Sequence, residues 1–281
     1  MRRFPLTKRA RPAAAPHAAG RALAIAAHPD DIEFMMAGTL ALLRERGWDI
    51  HYMNVSSGNL GSMVLPLADT ARLRRREAQA AARLIGAAWH PPICHDLEVF
   101  YDSRTLRRVA AVVRDVDPSI VLTHSPQDYM EDHMNTARLV VTAAFARAIP
   151  RYRTTPARAP VETSVTIYHA SPHGLRDGLR RRVAPGAFVN TTSVHDRKRA
   201  ALACHASQQH FLDATQGFSY LELMDEFSRT LGTLSGGFQH AEGWRRHLHL
   251  GFCDESADPL RGALGDDYQV NVAYEQALDG V

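Results

Sequence analysis

The chain has 281 residues, of which 45% are hydrophobic, and its formal net charge at pH 7 is +3. A chain of this length and apolar content can bury the core of one large domain. The small charge and the lack of a helix-turn-helix, zinc-finger or aromatic RNA-binding motif argue against a nucleic-acid-binding protein. No apolar stretch approaches the roughly 20 residues of a membrane-spanning helix, and the three cysteines have no C-x-x-C spacing. We therefore expect a reduced, cytoplasmic protein without nucleic-acid or membrane partners, for which a homo-oligomer remains open.

Short apolar runs alternate with segments of helical periodicity through the first half of the chain. The first run, "ALAIAA", precedes the helical pattern "MMAGTLALLRERG", which ends at Gly47, a frequent helix stop. This order predicts an α/β fold, with a parallel sheet, helices on both of its faces and right-handed crossovers. The later predicted strands lie at 49–57, 91–100 and 119–125, and the later helices at 70–86, 106–116 and 134–149.

The second half of the chain contains fewer clear patterns. After a linker rich in Pro, Arg and Thr, the segment 163–170 alternates like a strand and the segment 193–212 predicts a helix. From about residue 235 onward, glycine- and proline-containing stretches indicate loops and an irregular tail. We predict a flexible N-terminal tail at 1–20, a main domain at 21–235 and a C-terminal extension of the same domain at 236–281.

Polar and charged residues gather where the predicted parallel strands end. Ligands bind beyond the carboxyl ends of such strands, because the loops there open onto one crevice. We expect four loops to meet at this rim, and we expect Asn59 and Asp96 to face a bound substrate. The loops carry, in chain order, His28 with Asp30 and Asp31, the segment "SSGNLGS" with Asn59, then Asp96, then the segment from His124 to His133.

Three of these residues form a candidate set of metal ligands. His28 and Asp31 are three residues apart with the rigid Pro29 between them, and His133 approaches from a neighbouring strand. Two imidazoles and one carboxylate suit a divalent transition metal, zinc most commonly, and leave a coordination position open for catalysis. Asp30 is then free to act as a general base that takes a proton from water.

Four motifs resemble those of one enzyme family. They are "AHPDDIE" before a Gly-Thr helix, "TxxxRxxEA" at 70–78, "LTHSPQDYMEDH" and the late "CHASQ", and they span most of residues 22–210 in the family's order. The chain is thus similar to the LmbE-like, or PIG-L-like, family of metal-dependent N-acetylglucosaminyl deacetylases. The resemblance implies a Rossmann-like fold and zinc-dependent hydrolysis of an N-acyl group on a small amino-sugar substrate.

The resemblance also implies roles for individual residues. By position, His28, Asp31 and His133 match the metal ligands of the family, and Asp30 matches its general base. Arg74 matches an arginine that faces the sugar substrate.

Met130 departs from the pattern of the family. Many members have a second histidine at this position, which stabilises the tetrahedral intermediate or protonates the leaving amine, and methionine can do neither. We expect Tyr129 to donate a hydrogen bond to the oxyanion and His205, in "CHASQ", to return the proton. These two residues and Asp30 make up the predicted catalytic set.

Two other classes of function fit parts of the same pattern. A metal-dependent esterase or phosphohydrolase could use the same three ligands, but the sequence has neither a P-loop nor a second cluster of carboxylates. A non-catalytic sugar-binding module would explain Met130 but not Asp30, because a binding protein needs no general base.

Overall fold

The computed structural model describes residues 19–209, 212 and 219–279, so most of the predicted N-terminal tail lies outside the described residues. Eight strands lie at the centre of the described part of the fold. They are β1 Arg21–Ala26, β2 Asp49–Asn54, β3 Ala88–His90, β4 Ile120–Thr123, β5 Thr166–Ala170, β6 Ala187–Asn190, β7 Ala241–Arg246 and β8 Tyr268–Val270.

Helices connect and cover these strands, and short 3-10 turns occur between them. The helices are α1 Asp31–Met35, α2 Ala37–Glu45, α3 Leu67–Ile85, α4 Ser103–Val116, α5 Glu131–Phe145, α6 His195–Ala203, α7 Tyr220–Ser235, α8 Pro259–Leu264 and α9 Val272–Asp279. The 3-10 turns are Ala146–Ala148, His173–Leu175, Thr192–Val194 and Gly265–Asp267. No helix in these ranges is long and apolar enough to cross a membrane.

The strands form one sheet of eight, in the order β3-β2-β1-β4-β5-β7-β6-β8. The first five strands along the chain pair in parallel, while β7 pairs antiparallel with β5 and β6, and β8 pairs antiparallel with β6. The predicted Rossmann-like α/β fold is confirmed, and its second half adds an antiparallel edge to the parallel sheet.

The central strand β1 shows why the first strand of the sequence is so apolar. Ala22, Ala24 and Ala26 pack into a core shared with α2, α3, α6 and α7, whereas Leu23 and Ile25 pack into a second core shared with α4 and α5. A strand buried on both faces needs apolar side chains at every position. Helices therefore cover both faces of the sheet, as the alternating pattern predicted.

The strand order reverses on either side of β1. The chain proceeds from β1 to β2 and β3 on one side, and then returns to place β4 and β5 on the other side. The loops after β1 and β4 consequently leave the sheet in opposite directions and open a crevice between them. This crevice is where the predicted metal ligands lie.

Two predictions about strands were wrong. The third strand is β3 rather than the segment 91–100, from which Cys94 alone forms a single bridge to Ser56. Pro91 and Pro92 open that segment, and proline has no N–H group to donate to a neighbouring strand.

The irregular structure predicted from about residue 235 onward was also wrong, because β7 lies within the sheet and β8 forms its edge. In addition, the helix predicted at 193–212 is interrupted: α6 ends at Ala203, and His205 lies in the break before the helical residues 206–209.

Candidate active site

The turn after β1 is held rigidly. The backbone N–H of His28 donates to Asp31 Oδ2 at 2.7 Å, and the His28 carbonyl oxygen accepts from Asn54 Nδ2 at 2.6 Å, which ties the turn to the end of β2. Asp30 has a φ of 115°, in the region that disfavours residues with a side chain. Such a conformation persists only where surrounding contacts enforce it, and it is concentrated at functional sites.

His28, Asp31 and His133 come together at the ends of β1 and β4. Asp31 lies between the two imidazoles, with Oδ2 3.5 Å from His28 Nδ1 and Oδ1 3.4 Å from His133 Nε2. One possible ligand atom from each residue lies within 4.8 Å of the other two. Two imidazole nitrogens and one carboxylate oxygen are the donor set of a catalytic zinc-type site, so the residues present fit such an ion.

Asp132 and Asp128 each hold one of the two histidines from its far side. Asp132 Oδ2 lies 3.0 Å from His28 Nε2, and Asp128 Oδ1 lies 3.1 Å from His133 Nδ1. A ligating histidine commonly donates its second ring N–H to a carboxylate, which fixes the tautomer and the orientation of the ring. His28 Nδ1 and His133 Nε2 are left to face Asp31. Neither aspartate was predicted from the sequence, although the acidic "DYMED" just before His133 was an available signal.

The carboxylates make this cluster attract positive charge. Burial alone would lower the pKa of His28, but hydrogen bonds to Asp132 and Asp31 outweigh it and raise the pKa to about 9. Burial also opposes protonation of His133, yet the charge of Asp31 and the hydrogen bond to Asp128 raise its pKa to about 10. A divalent cation between the three ligands would satisfy the same electrostatic demand.

A second group of possible ligands, His124, Asp128 and His133, is less suitable. His124 Nε2 accepts the backbone N–H of Ala27 at 2.8 Å, and His133 Nδ1 already faces Asp128. These atoms are engaged with each other and with the backbone, whereas the first set faces a cavity.

Asp30 lies beside Asp31 but has different partners. Arg74 donates from Nη2 to Asp30 Oδ2 at 2.9 Å and also donates to the carbonyl oxygen of Pro29. Burial raises the pKa of Asp30, the charge of Arg74 partly offsets this increase, and the charge of Asp31 adds to it. A raised pKa makes a carboxylate a stronger base, as general-base catalysis at neutral pH requires.

Arg74 is buried, with 3% of its surface exposed, so it is not a solvated helix charge. Its side chain lies against Gly58, whose φ is 71°, and a Cβ atom built at Gly58 would lie 2.7 Å from Arg74 Cδ. The glycine therefore allows the loop after β2 to pack onto the arginine. Arg74 also lines the cavity, and its predicted contact with a sugar stays a prediction.

Asn59 and Asp96 organise the same loop. Asp96 Oδ1 accepts from Ser56 Oγ at 2.8 Å and from the Gly58 N–H at 2.7 Å, and Asn59 Oδ1 accepts from the Asp96 N–H at 2.9 Å. Asp96 lines the cavity, but Asn59 does not. Their predicted role in substrate binding stays a prediction, and the contacts present are with the loop itself.

A cavity of about 490 Å³ opens over Asp30 and the three candidate metal ligands, His28, Asp31 and His133. This volume lies within the range of roughly 300–1,000 Å³ that small-molecule sites occupy. Apolar side chains form much of the remaining wall, among them Phe34, Leu60, Leu97, Met130 and Leu223.

Of the two residues predicted to take over the role missing at Met130, Tyr129 lies on this wall and His205 does not. Tyr129 and Met130 line the cavity, whereas His205 is fully buried away from it, with Nε2 3.4 Å from Glu33 Oε1. Proton return by His205 therefore stays a prediction without a direct contact to the cavity. His173 also lines the cavity, and it was not predicted from the sequence because no recognisable motif surrounds it.

Comparison with known proteins places this site in a family. A family model described as "PIG-L: GlcNAc-PI de-N-acetylase" matches residues 23–144. The chain is 32% identical over 200 residues to a 4-oxalmesaconate hydratase from Pseudomonas putida, a match that covers 67% of this chain and 74% of the relative. The chain belongs to the PIG-L family.

Two matches cover more of the length of the chain. A diacetylchitobiose deacetylase from Thermococcus kodakarensis is 26% identical over 235 residues, or 80% of this chain and 82% of the relative. The crystal structure of a 4-carboxy-2-hydroxymuconate hydratase from Pseudomonas putida matches with a TM-score of 0.68 and 27% identity, covering 81% of this chain and 95% of that chain. The family inferred from the motifs is confirmed.

Proposed function

We propose that this PIG-L protein removes an N-acyl group, most simply an N-acetyl group, from a small amino sugar or its conjugate, and that zinc is its metal. The proposal depends above all on one observation, the convergence of His28, Asp31 and His133 beside Asp30 in a single cavity. The match to a diacetylchitobiose deacetylase supports an amino-sugar substrate.

The residues of the chain divide the chemistry among them. When bound, the metal supplies Lewis acidity that activates water and polarises the acyl carbonyl group. Asp30 takes and holds the proton lost by water, and Arg74 keeps its carboxylate in place. Asp132 and Asp128 keep the two imidazoles in the orientation that binding needs.

Tyr129 supplies a neutral donor at the cavity wall. Burial and the charges of Asp31 and Asp128 raise the pKa of its phenol, so the hydroxyl group stays protonated at neutral pH. A protonated phenol can donate a hydrogen bond to a developing oxyanion, as proposed from the sequence.

A deacetylation screen tests the proposal. Zinc-loaded protein is incubated with N-acetylated mono- and disaccharides and their conjugates, and released amine is quantified. We expect amine release that stops on chelation and returns with zinc, and we expect His133→Ala to lose both stoichiometric metal and activity. Fully metal-loaded wild-type protein that releases no amine from any of these substrates would contradict the proposal.

Hydration is a second candidate, favoured by the 32% identity to a 4-oxalmesaconate hydratase. An anionic substrate of that kind needs cationic contacts besides the metal. Arg74 is the one arginine or lysine among the described residues of the cavity wall, and it is already paired with Asp30. This pairing favours deacylation. Consumption of 4-oxalmesaconate by the protein, without amine release from acetylated sugars, would replace the first proposal with the second.

A further inference from the structure

We propose that His173 donates a hydrogen bond to the acyl oxygen of the substrate, a role that the side chain of Met130 cannot fill. The inference rests on the proposed deacylation at the same site. His173 lies in the loop after β5, whereas Met130 lies in the loop after β4.

His173 reaches the site because of the sheet topology. It lies in the turn His173–Leu175 after β5, and β5 is the parallel neighbour of β4, so both loops open at the same edge of the sheet. The His173 ring centroid is 6.3 Å from that of Tyr129, which is in turn 5.6 Å from that of His133. One side chain therefore separates His173 from the proposed metal set, and the ring lines the cavity.

Among the described residues, the ring of His173 packs against aromatic side chains. It packs edge-on against Phe34 at 5.2 Å and stacks on Phe227 at 6.0 Å between ring centroids. The turn is closed by the Leu175 N–H, which donates to the Pro172 carbonyl oxygen at 2.9 Å. These contacts hold the imidazole in place without using either of its nitrogens.

The nitrogens of His173 are available to a ligand. Within the described part of the chain they form no hydrogen bond or ion pair, and the neighbouring charges act on the ring only at a distance. The other imidazoles of the cavity wall, His28 and His133, are each engaged with a carboxylate. Among the described residues of this wall, His173 is therefore the imidazole with an N–H free to bind substrate.

The surroundings of His173 favour the neutral ring. Burial lowers its pKa, and the charges facing it are those of Asp128 and Asp31, which oppose this effect, and of His133, which adds to it. Tyr129 packs against it from the same loop and stays protonated, because burial raises its pKa. A neutral imidazole keeps one N–H, and a neutral imidazole N–H can polarise a carbonyl group. The role is accordingly that of a donor to oxygen and not that of an acid.

Kinetics of paired variants test this assignment. Removing one oxyanion donor lowers kcat by roughly 10²–10³-fold, so we expect a loss of this size in His173→Ala with little change in KM. His173→Gln, whose amide N–H can still donate, should stay within about tenfold of wild type. Met130→His should restore kcat by about tenfold or more in the His173→Ala background, while having a small effect alone.

Controls separate this role from packing and from the proposed function. His249→Ala removes an imidazole that does not line the cavity and should match wild type. Zinc content, thermal unfolding midpoint and the shape of the pH profile should be the same in His173→Gln and wild type.

Several results would overturn the inference. They are wild-type kcat in His173→Ala, loss of one limb of the pH profile in His173→Gln, failure of both His173→Gln and Met130→His to preserve activity, or a large loss in His205→Ala with none in His173→Ala. A wild-type protein that releases no amine would overturn the proposed function and this inference together, whereas the other results overturn the inference alone.

Discussion

Two buried clusters of charge lie on different parts of the sheet, and they differ in how completely they are satisfied. At β7, Glu242 accepts from the N–H groups of Gly38 and Thr39, from Thr39 Oγ1 and from Lys198 Nζ, at distances between 2.6 and 2.8 Å. The side chains of Glu242 and Lys198 are each 1% exposed. One carboxylate meets one ammonium group here, and every carboxylate oxygen is used within the protein.

The charges of the cluster at the ends of β1 and β4 are not balanced in this way. Asp31, Asp128 and Asp132 surround the two imidazoles of His28 and His133, so three carboxylates face two bases and negative charge is in excess even when both imidazoles are protonated. The cluster also faces a cavity, which the Glu242 cluster does not. Burial of charge is thus common to a structural site and to the candidate functional site. The candidate functional site is distinguished by an excess of one charge and by access for a ligand.

Replacing Asp30, the proposed general base beside the cluster at the ends of β1 and β4, should have the largest effect on turnover. Asp30→Asn should lower kcat by about 10²–10⁴-fold, the usual contribution of general-base catalysis. Zinc content should stay at the wild-type level, because Asp30 is not among the three proposed ligands. Kinetics and metal analysis on the same preparation provide the measurement. Metal lost in parallel with activity would instead make Asp30 a ligand.

Breaking the Glu242–Lys198 cluster should lower the stability of the protein without affecting metal binding. Lys198→Met leaves the carboxylate of Glu242 buried without its cation, which costs about 3–5 kcal/mol in the free energy of unfolding. Denaturant unfolding should detect this loss, while the folded fraction keeps its zinc. The double variant Lys198→Met/Glu242→Gln should recover part of the stability, since no charge is then buried. Weakened zinc binding at unchanged stability would refute the distinction between the two clusters.

Replacing Asp132, the carboxylate that contacts the far side of His28, should have a smaller effect than either of these changes. Asp132→Asn should weaken zinc affinity by about 10–100-fold, as is typical when a partner of a ligating histidine is lost. Asp225→Asn is a matched control, because Asp225 Oδ1 lies 2.8 Å from His195 Nε2 in a pair that does not line the cavity. Competition against a chromophoric chelator measures both affinities. Equal affinities in the two variants would show that Asp132 does not orient His28.

The sequence revealed the parts of the site that depend on local order along the chain. His28 and Asp31 could be predicted because their spacing and the preceding strand fix them on one turn, and His133 because β4 is the neighbour of β1. The roles of Asp128 and Asp132 depend on which way the imidazoles face, and that direction is set by packing.

The parts of the fold that the sequence did not reveal have physical reasons of their own. Strand β7 reads "AEGWRR", and the buried Glu242 hides the alternation expected of a strand. That glutamate is accommodated because α2 and α6 bring Gly38, Thr39 and Lys198 to it from distant parts of the sequence. His173 was missed for a similar reason: its proposed function depends on a cavity to which the segments after five strands, β1 to β5, contribute.

The smallest change we consider tests how Arg74 holds Asp30. Gly58 and Gly236 have φ values of 71° and 78°, and an alanine at either should cost about 1–2 kcal/mol of stability. A Cβ atom at Gly58 would also lie 2.7 Å from Arg74 Cδ, whereas one at Gly236 has nothing within 4 Å. Gly58→Ala should therefore displace Arg74, and Gly236→Ala is its matched control.

The expected sign of the pH effect follows from the charge of Arg74, which lowers the pKa of Asp30. When the guanidinium moves away, that pKa rises, and the carboxylate needed as a base is protonated at a higher pH. The acidic limb of the profile of kcat/KM against pH should move upward in Gly58→Ala and stay in place in Gly236→Ala. Thermal unfolding should show a loss in both variants, larger in Gly58→Ala because the buried Arg74–Asp30 pair is also disturbed. An unchanged pH profile in the destabilised Gly236→Ala would show that loss of stability alone does not shift the limb. Identical pH profiles would mean that the loop after β2 does not position Arg74. The pKa of Asp30 would then be set by burial and by the charge of Asp31, without a contribution from Arg74.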